Sequence, residues 1–194
     1  MNSNQTLKLV LTGLMAALCY VSFTFLQIPI PVPGGDQVAL HIGNAFCVLA
    51  ALLLGGVHGG LAGAIGMTIA DLLIPAYVTS APKTFLLKFL IGFIAGFIAH
   101  KIAKITKEHS NIYIFKWTLI ASGGALLFNV IADPIVGFLY KNLVLGVPSP
   151  AAAIMSTWAA GITLINSIVG TIVVVFVYTA LRPLLKKSGL FFTI

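Results

Sequence analysis

Charged side chains are scarce in this chain. Only 8% of its 194 residues are Asp, Glu, Lys or Arg, whereas 59% are hydrophobic, and its mean hydropathy is +1.09. Soluble globular domains carry about 25% charged residues, so the composition excludes an ordinary soluble protein and predicts a polytopic membrane protein. The net charge of +7 does not indicate nucleic-acid binding, because the basic residues cluster at the ends of apolar segments.

Cysteines and catalytic motifs are also missing or few. The two cysteines, Cys19 and Cys47, lie in apolar segments without C-x-x-C spacing, which predicts buried thiols and neither a disulfide nor a metal site. H-E-x-x-H and G-x-S-x-G motifs are absent. The glycine-rich run at 55–60 lacks the Lys-Ser/Thr ending of a phosphate-binding loop, so a tight helix hairpin is expected there. We therefore predict no metal and no enzymatic activity.

Long apolar segments account for most of the chain. They predict an all-α fold, a bundle of six transmembrane helices forming a single domain over residues 1–194, with segments at about 7–26, 38–54, 57–76, 84–102, 115–139 and 154–181. No small-residue cleavage site follows the first segment, so we expect it to be a retained span and not a signal peptide.

Two connections between the segments contain proline. Pro29, Pro31 and Pro33 exclude a helix over 28–36 and predict an extended run, which either covers a pocket mouth or is a plain connector. A second loop containing proline and glycine is expected over 140–150.

The basic residues predict the orientation. With six spans, both termini lie on one side of the membrane. That side receives 8 of the 11 basic residues, and the other side receives only Lys83, Lys88 and Lys141. The positive-inside rule then places both termini in the cytoplasm of a multi-pass plasma-membrane protein.

Asp71 and Lys88 are charges at membrane depth, one near the end of the third segment and one near the start of the fourth. Such residues are costly in hydrocarbon and face a partner or a cavity. One interpretation is an ion pair that locks two helices. The other is a polar site near one face of the membrane.

Further polar residues fall at similar depths in the outer half of five segments. Each could make an interhelical hydrogen bond, but together they favour an outward-facing pocket for a small polar molecule. The candidate binding residues are His41, Asn44, Asp71, Tyr77, Lys88, Asn129, Asp133, Trp158 and Asn166.

Three other functions compete with this interpretation. An intramembrane enzyme could use His41 and Asp71 as an acid and base pair. A structural subunit would pair its polar residues internally. A secondary transporter working alone normally contains internal repeats and broken helices, and we find no repeat.

Several motifs together resemble the substrate-binding S component of an energy-coupling factor (ECF) vitamin transporter, over nearly the whole length. They are the small-xxx-small pair Gly13 and Ala17, the proline-rich run at 28–36, the glycine-rich run from Leu54 to Asp71, and Ala81-Pro82-Lys83-Thr84 followed by Lys88 and Gly92. The family's usual motif in helix one is Ala-xxx-Ala, and here Gly13 replaces the first alanine.

The resemblance implies a function and partners. An S component binds a water-soluble vitamin from outside under lid loops and then docks on a transmembrane coupling subunit through its first helix, here through Gly13, Ala16 and Ala17. Two cytoplasmic ATPases supply the energy, so the chain itself needs no cofactor. Hydroxymethylpyrimidine or pyridoxine would suit the Asn and Asp groups and Trp158. Pantothenate, the next candidate, would place its carboxylate on Lys88 or Lys83.

Overall fold

The computed structural model describes residues 3–188, and within this range the chain is mainly helical. The elements in chain order are α1 (Ser3–Phe25), β1 (Gln27–Val32), β2 (Asp36–His41), α2 (Gly43–Leu54), α3 (Gly56–Leu73), α4 (Ala81–Gly96), α5 (Asn111–Leu139) and α6 (Ser149–Lys187). A short 3₁₀ turn, Val78–Ser80, precedes α4, and the π-helical turns Phe97–Ile102 and Tyr140–Val144 extend α4 and α5. The predicted all-α bundle with six helices is confirmed.

The proline-rich run forms the first strand of an antiparallel hairpin. Pro29 pairs with Ala39 and Pro31 with Gln37. Both strands of a two-stranded sheet are edge strands, where the missing N–H of proline is tolerated. Gly34 and Gly35 form the turn with φ of 102° and 86°, a left-handed conformation that favours glycine.

The predicted start of the second helix at about residue 38 is wrong, because residues 36–41 pair with β1 and α2 begins only at Gly43. This helix has 12 residues and is about 18 Å long at 1.5 Å per residue. It is shorter than a hydrocarbon core of about 30 Å. Five other helices are long and apolar enough to cross a membrane. Most residues of α2 are buried, so it forms the centre of the bundle.

Glycines set the distance between α3 and α4. A Cβ atom at Gly92 would collide with the backbone of Gly60, and one at Gly96 would collide with the backbone of Gly56. On each helix the two glycines are four residues apart, so the backbones approach closely over about one turn. The close contact fixes α4 against α3 and thereby positions the side chains at the other end of both helices.

The connections divide between two ends of the bundle. The β1–β2 hairpin, the α3–α4 connection and the α5–α6 connection lie at one end, which we call the hairpin end. The α2–α3 and α4–α5 connections lie at the opposite end, with the start of α1 and the end of α6. The predicted loop at 140–150 is partly wrong, because its first half continues α5 as a π-helical turn, Tyr140–Val144.

Candidate functional site

A polar cavity of about 90 Å³ lies at the hairpin end. The helices α1 to α6 and the hairpin all contribute to its lining. Seven of the nine predicted binding residues line it: His41, Asn44, Asp71, Tyr77, Lys88, Asp133 and Asn166. Asp36, Lys83, Lys141, Thr84 and Thr163 also line it. The depth argument made from the sequence therefore selected residues that the fold brings together.

Two ion pairs cross the cavity walls. Lys83 Nζ lies 2.9 Å from Asp133 Oδ1 and joins α4 to α5, with both side chains 13% exposed. Asp133 Oδ2 also accepts a hydrogen bond from the Thr163 hydroxyl on α6 at 3.2 Å. Lys141 Nζ lies 3.0 Å from Asp36 Oδ2 and joins the end of α5 to the hairpin. These contacts neutralise two of the three lysines and two of the three aspartates in the cavity.

The remaining charged residues are Asp71 and Lys88. The ion pair considered between them from the sequence is wrong, since neither residue takes part in an ion pair within the described chain. Both are almost fully buried, at 2% and 9% exposure. Asp71 Oδ2 has no hydrogen-bond partner in the described chain. Buried charges are costly when unpaired, so Asp71 Oδ2 can take a further hydrogen-bond donor, and Lys88 lines the same cavity without an ion pair to any described residue.

Asn166 fixes the hairpin to α6. Its Oδ1 accepts a hydrogen bond from the His41 backbone N–H at 2.9 Å, and its Nδ2 donates one to the Ala39 carbonyl oxygen at 2.9 Å. The side-chain amide thus makes the two hydrogen bonds to the β2 backbone that a neighbouring strand would make. Asn166 was predicted as a binding residue, and in this structure its amide is engaged with the backbone of β2.

His41 is a neutral residue of the cavity wall. Burial, with the nearby Lys88 cation, lowers its pKa to about 3. Its Nδ1 accepts a hydrogen bond from the Gly43 backbone N–H at 3.1 Å, so the proton of the neutral ring lies on Nε2. His41 can therefore donate one hydrogen bond through Nε2.

The aromatic wall of the cavity differs from the prediction. Phe23 contacts the His41 ring edge-on at 4.7 Å between centroids and the Tyr77 ring at 5.7 Å, and all three residues line the cavity. Trp158, predicted to stack on the substrate, does not line it and is 50% exposed. The inward face of α6 contains Ala159, and each residue of a helix is turned by about 100° from the next, which directs Trp158 outward.

The other two predicted asparagines, Asn44 and Asn129, have different positions. Asn44, at the start of α2, lines the cavity, and its Oδ1 has no hydrogen-bond partner among the described residues. Asn129 is 1% exposed but does not line the cavity. It lies on α5 one helical turn from Asp133, on the side away from the hairpin end. Its predicted contact with substrate is therefore not supported by this geometry.

The predicted docking residues on α1 do not share one environment. Gly13 and Ala17 are exposed, and a Cβ atom added at Gly13 would contact nothing within 4 Å. Ala16 is half-buried and its backbone packs against Gly66 of α3. Gly13 and Ala17 thus remain on the outer surface of the bundle, whereas Ala16 belongs to the internal contact of α1 with α3.

Three ionic residues of the site were not among the predicted binding residues. Asp36 and Lys141 are in loops by sequence, and only the fold shows that they meet. Lys83 was considered only for pantothenate, although the chain has just four acidic residues. With so few carboxylates, a lysine near a helix end either pairs with one of them or faces water. This scarcity could have indicated from the sequence that Lys83 pairs with an aspartate.

Comparison with known proteins gives the family. The model of the family described as "ECF-type riboflavin transporter, S component" matches residues 3–183. This chain belongs to that family. The solved structure described as "Structure and mechanism of the S component of a bacterial ECF transporter" superposes with a TM-score of 0.60 at 22% identity, covering 94% of this chain and 99% of the other. That likeness shows the fold. No curated protein matches the chain significantly.

Membership confirms the resemblance drawn from the sequence. The protein is a multi-pass membrane subunit of a transport system, and ECF S components pair with a coupling subunit and ATPases. The family is one of transporter subunits and not of enzymes.

Proposed function

We propose that this chain is the substrate-binding subunit of an ECF-type importer and that it holds a small water-soluble vitamin in the cavity at the hairpin end. The observation that carries the proposal is the pair of buried groups, Asp71 and Lys88, which line this cavity without an ion-pair partner among the described residues. A purely structural subunit would gain stability by pairing or removing such groups. A ligand would satisfy them.

The orientation follows from the distribution of charge. Eight of the eleven basic residues are at or near the end with the chain termini, which the positive-inside rule assigns to the cytoplasm. The hairpin end then faces outward, so the cavity takes substrate from outside the cell. A coupling subunit and two ATPases at the plasma membrane would supply the energy for import.

The docking surface is proposed on α1. Gly13 and Ala17 leave a shallow strip on the exposed side of this helix, where another helix can approach closely. Gly13→Leu and Ala17→Leu would fill the strip and weaken assembly with the coupling subunit, without changing the cavity. Ala16 supports the position of α1 from the inside.

The vitamin is proposed to be a small one. The cavity of about 90 Å³ is below the roughly 300 Å³ of a pocket for a drug-sized molecule. A single heteroaromatic ring, as in hydroxymethylpyrimidine or pyridoxine, is closer to this space than a larger ring system, and it could lie against Phe23, His41 and Tyr77. Pantothenate is the next candidate, and riboflavin, named by the family model, has a larger ring system.

The test is to purify the protein in mild detergent and to identify bound small molecules by native mass spectrometry. We expect one vitamin to copurify, and Gly13→Leu and Ala17→Leu to retain it while losing coassembly with a coupling subunit expressed alongside. Turnover of a substrate without any partner ATPase would instead support the intramembrane enzyme. Uptake that collapses with an ion gradient would support the secondary transporter.

A further inference from the structure

The charges that line the cavity sum to zero. Lys83, Lys88 and Lys141 oppose Asp36, Asp71 and Asp133, and His41 is neutral because burial holds its pKa at about 3. A ligand with a net charge would leave an uncompensated charge in this low-dielectric site, which is costly. A ligand with no net charge leaves the balance intact.

The two groups without ion-pair partners in the described chain have opposite signs. The ion pairs Lys83–Asp133 at 2.9 Å and Lys141–Asp36 at 3.0 Å remove four of the six charges. Lys88 offers an ammonium group with only donors, and Asp71 offers a carboxylate with only acceptors. A ligand that satisfies both must present an anionic or strongly accepting oxygen to one and a cationic or strongly donating N–H to the other.

The aromatic wall restricts the ligand further. Phe23 packs against His41 and Tyr77 on one side of the cavity, and the hydroxyl of Tyr77 is buried without a hydrogen-bond partner among residues 3–188. Aromatic side chains favour a flat ring beside them. The site thus combines a wall for one ring with two opposite charges for its edges.

Resting on the proposed function, we infer that the substrate is a zwitterion with no net charge, built on a single heteroaromatic ring that carries an oxyanion for Lys88 and a protonated nitrogen for Asp71. A 3-hydroxypyridine has this form, with a phenolate oxygen and a pyridinium N–H. A ligand with net negative charge, such as pantothenate, is then not the substrate. Riboflavin, which is uncharged and larger, is not the substrate either.

The first experiment is equilibrium binding to the ligand-free, detergent-solubilised protein. The probes are pyridoxine as the zwitterion, its 3-deoxy analogue without the oxyanion, 4-pyridoxic acid with net negative charge, pyridoxamine with net positive charge, pantothenate and riboflavin. We expect pyridoxine to bind best and each of the others to bind roughly 10-fold to 100-fold more weakly, the loss for one hydrogen bond to a charged group.

The second experiment changes the charge of the cavity. Lys88→Met leaves the cavity with net negative charge and should shift preference from pyridoxine toward pyridoxamine. Asp71→Asn leaves it with net positive charge and should shift preference toward 4-pyridoxic acid. A merely structural role of either residue would weaken all probes equally. Lys101→Met, at the opposite end of the bundle, is the matched control and should change no preference.

The outcomes separate the inference from the proposed function. Tightest binding of riboflavin or pantothenate by the unaltered protein would overturn the zwitterion and leave the S component role intact. Binding of none of the vitamins, with no ligand found by mass spectrometry, would overturn the proposed function itself. If a variant does not fold, as judged from its melting temperature, the ranking of the six probes on the unaltered protein still decides the inference.

Discussion

The Lys83–Asp133 ion pair offers the sharpest test of how the bundle is held at the hairpin end. The pair is largely buried, and Thr163 donates a further hydrogen bond to Asp133. At 2.9 Å and an effective dielectric constant of about 20, the attraction is about 6 kcal/mol before desolvation is subtracted. Because removing one partner strands the other charge, we expect Lys83→Met or Asp133→Asn to lower the free energy of unfolding by about 3–5 kcal/mol.

The double variant should be more stable than the sum of the single losses predicts. Once both charges are gone, neither is stranded, and the amide oxygen that Asp133→Asn introduces can still accept a hydrogen bond from the Thr163 hydroxyl. We expect a coupling energy of about 2–3 kcal/mol from the double-mutant cycle. The assay is equilibrium unfolding of the ligand-free protein in mixed micelles, followed by tryptophan fluorescence.

The Asp71 and Lys88 cycle is the matched comparison. These residues line the same cavity but form no ion pair with each other, so their coupling should stay below about 1 kcal/mol. A coupling energy under about 0.5 kcal/mol for Lys83–Asp133 would refute this assignment of ion-pair partners. A coupling energy above about 1 kcal/mol for Asp71–Lys88 would refute it as well.

Two further predictions concern the hairpin. Asn166→Leu should increase hydrogen exchange of the His41 amide, which loses its acceptor. Thr157→Val, on the exposed side of α6, should leave this exchange unchanged. Unchanged exchange in Asn166→Leu would show that Asn166 does not hold the hairpin to α6. Since the pKa of His41 is about 3 in the folded state and about 6.5 when unfolded, the unfolded state binds more protons between these values. Stability should therefore fall as pH is lowered through that window, by at most about 1.4 kcal/mol per pH unit. His41→Gln should flatten this slope of melting temperature against pH, and an unchanged slope in this variant would contradict the burial of His41.

Local features of the sequence were sufficient for the architecture. Apolar runs bounded by proline and polar residues predicted the helices, and repeated small residues such as Gly56, Gly60 and Gly92 mark the close contact of α3 with α4. These signals lie within single segments and need no knowledge of the neighbours. The family followed for the same reason, because its motifs are short runs that keep their spacing.

The predictions that were wrong concern features that depend on contacts between segments. Residues 38–40 are apolar and adjoin a helix, and only their pairing with β1 makes them part of a strand. The face on which Trp158 lies depends on how α6 is rotated in the bundle, which periodicity alone does not set. Lys83 and Asp133 are 50 residues apart, so the partner closer in sequence, Asp71 for Lys88, was the natural hypothesis from sequence alone.

The contacts of the cavity divide into two groups with different consequences for substrate entry. Asp36–Lys141 and the two hydrogen bonds of Asn166 fix the hairpin, whereas Lys83–Asp133 joins α4 to α5. Moving the hairpin breaks the first group, together with the apolar contact of Val32 with Met155 and Ile162 on α6, and leaves the second group intact. The ion pair Asp36–Lys141 is partly exposed, with side chains 21% and 12% accessible, so water can replace part of what it loses. The helix contacts beneath are set by glycine packing and a buried charge pair, which are costly to disturb. On the proposed function, opening at the hairpin would therefore admit a ligand at a lower cost than separating the helices, while Asp71 and Lys88 stay in position on α3 and α4.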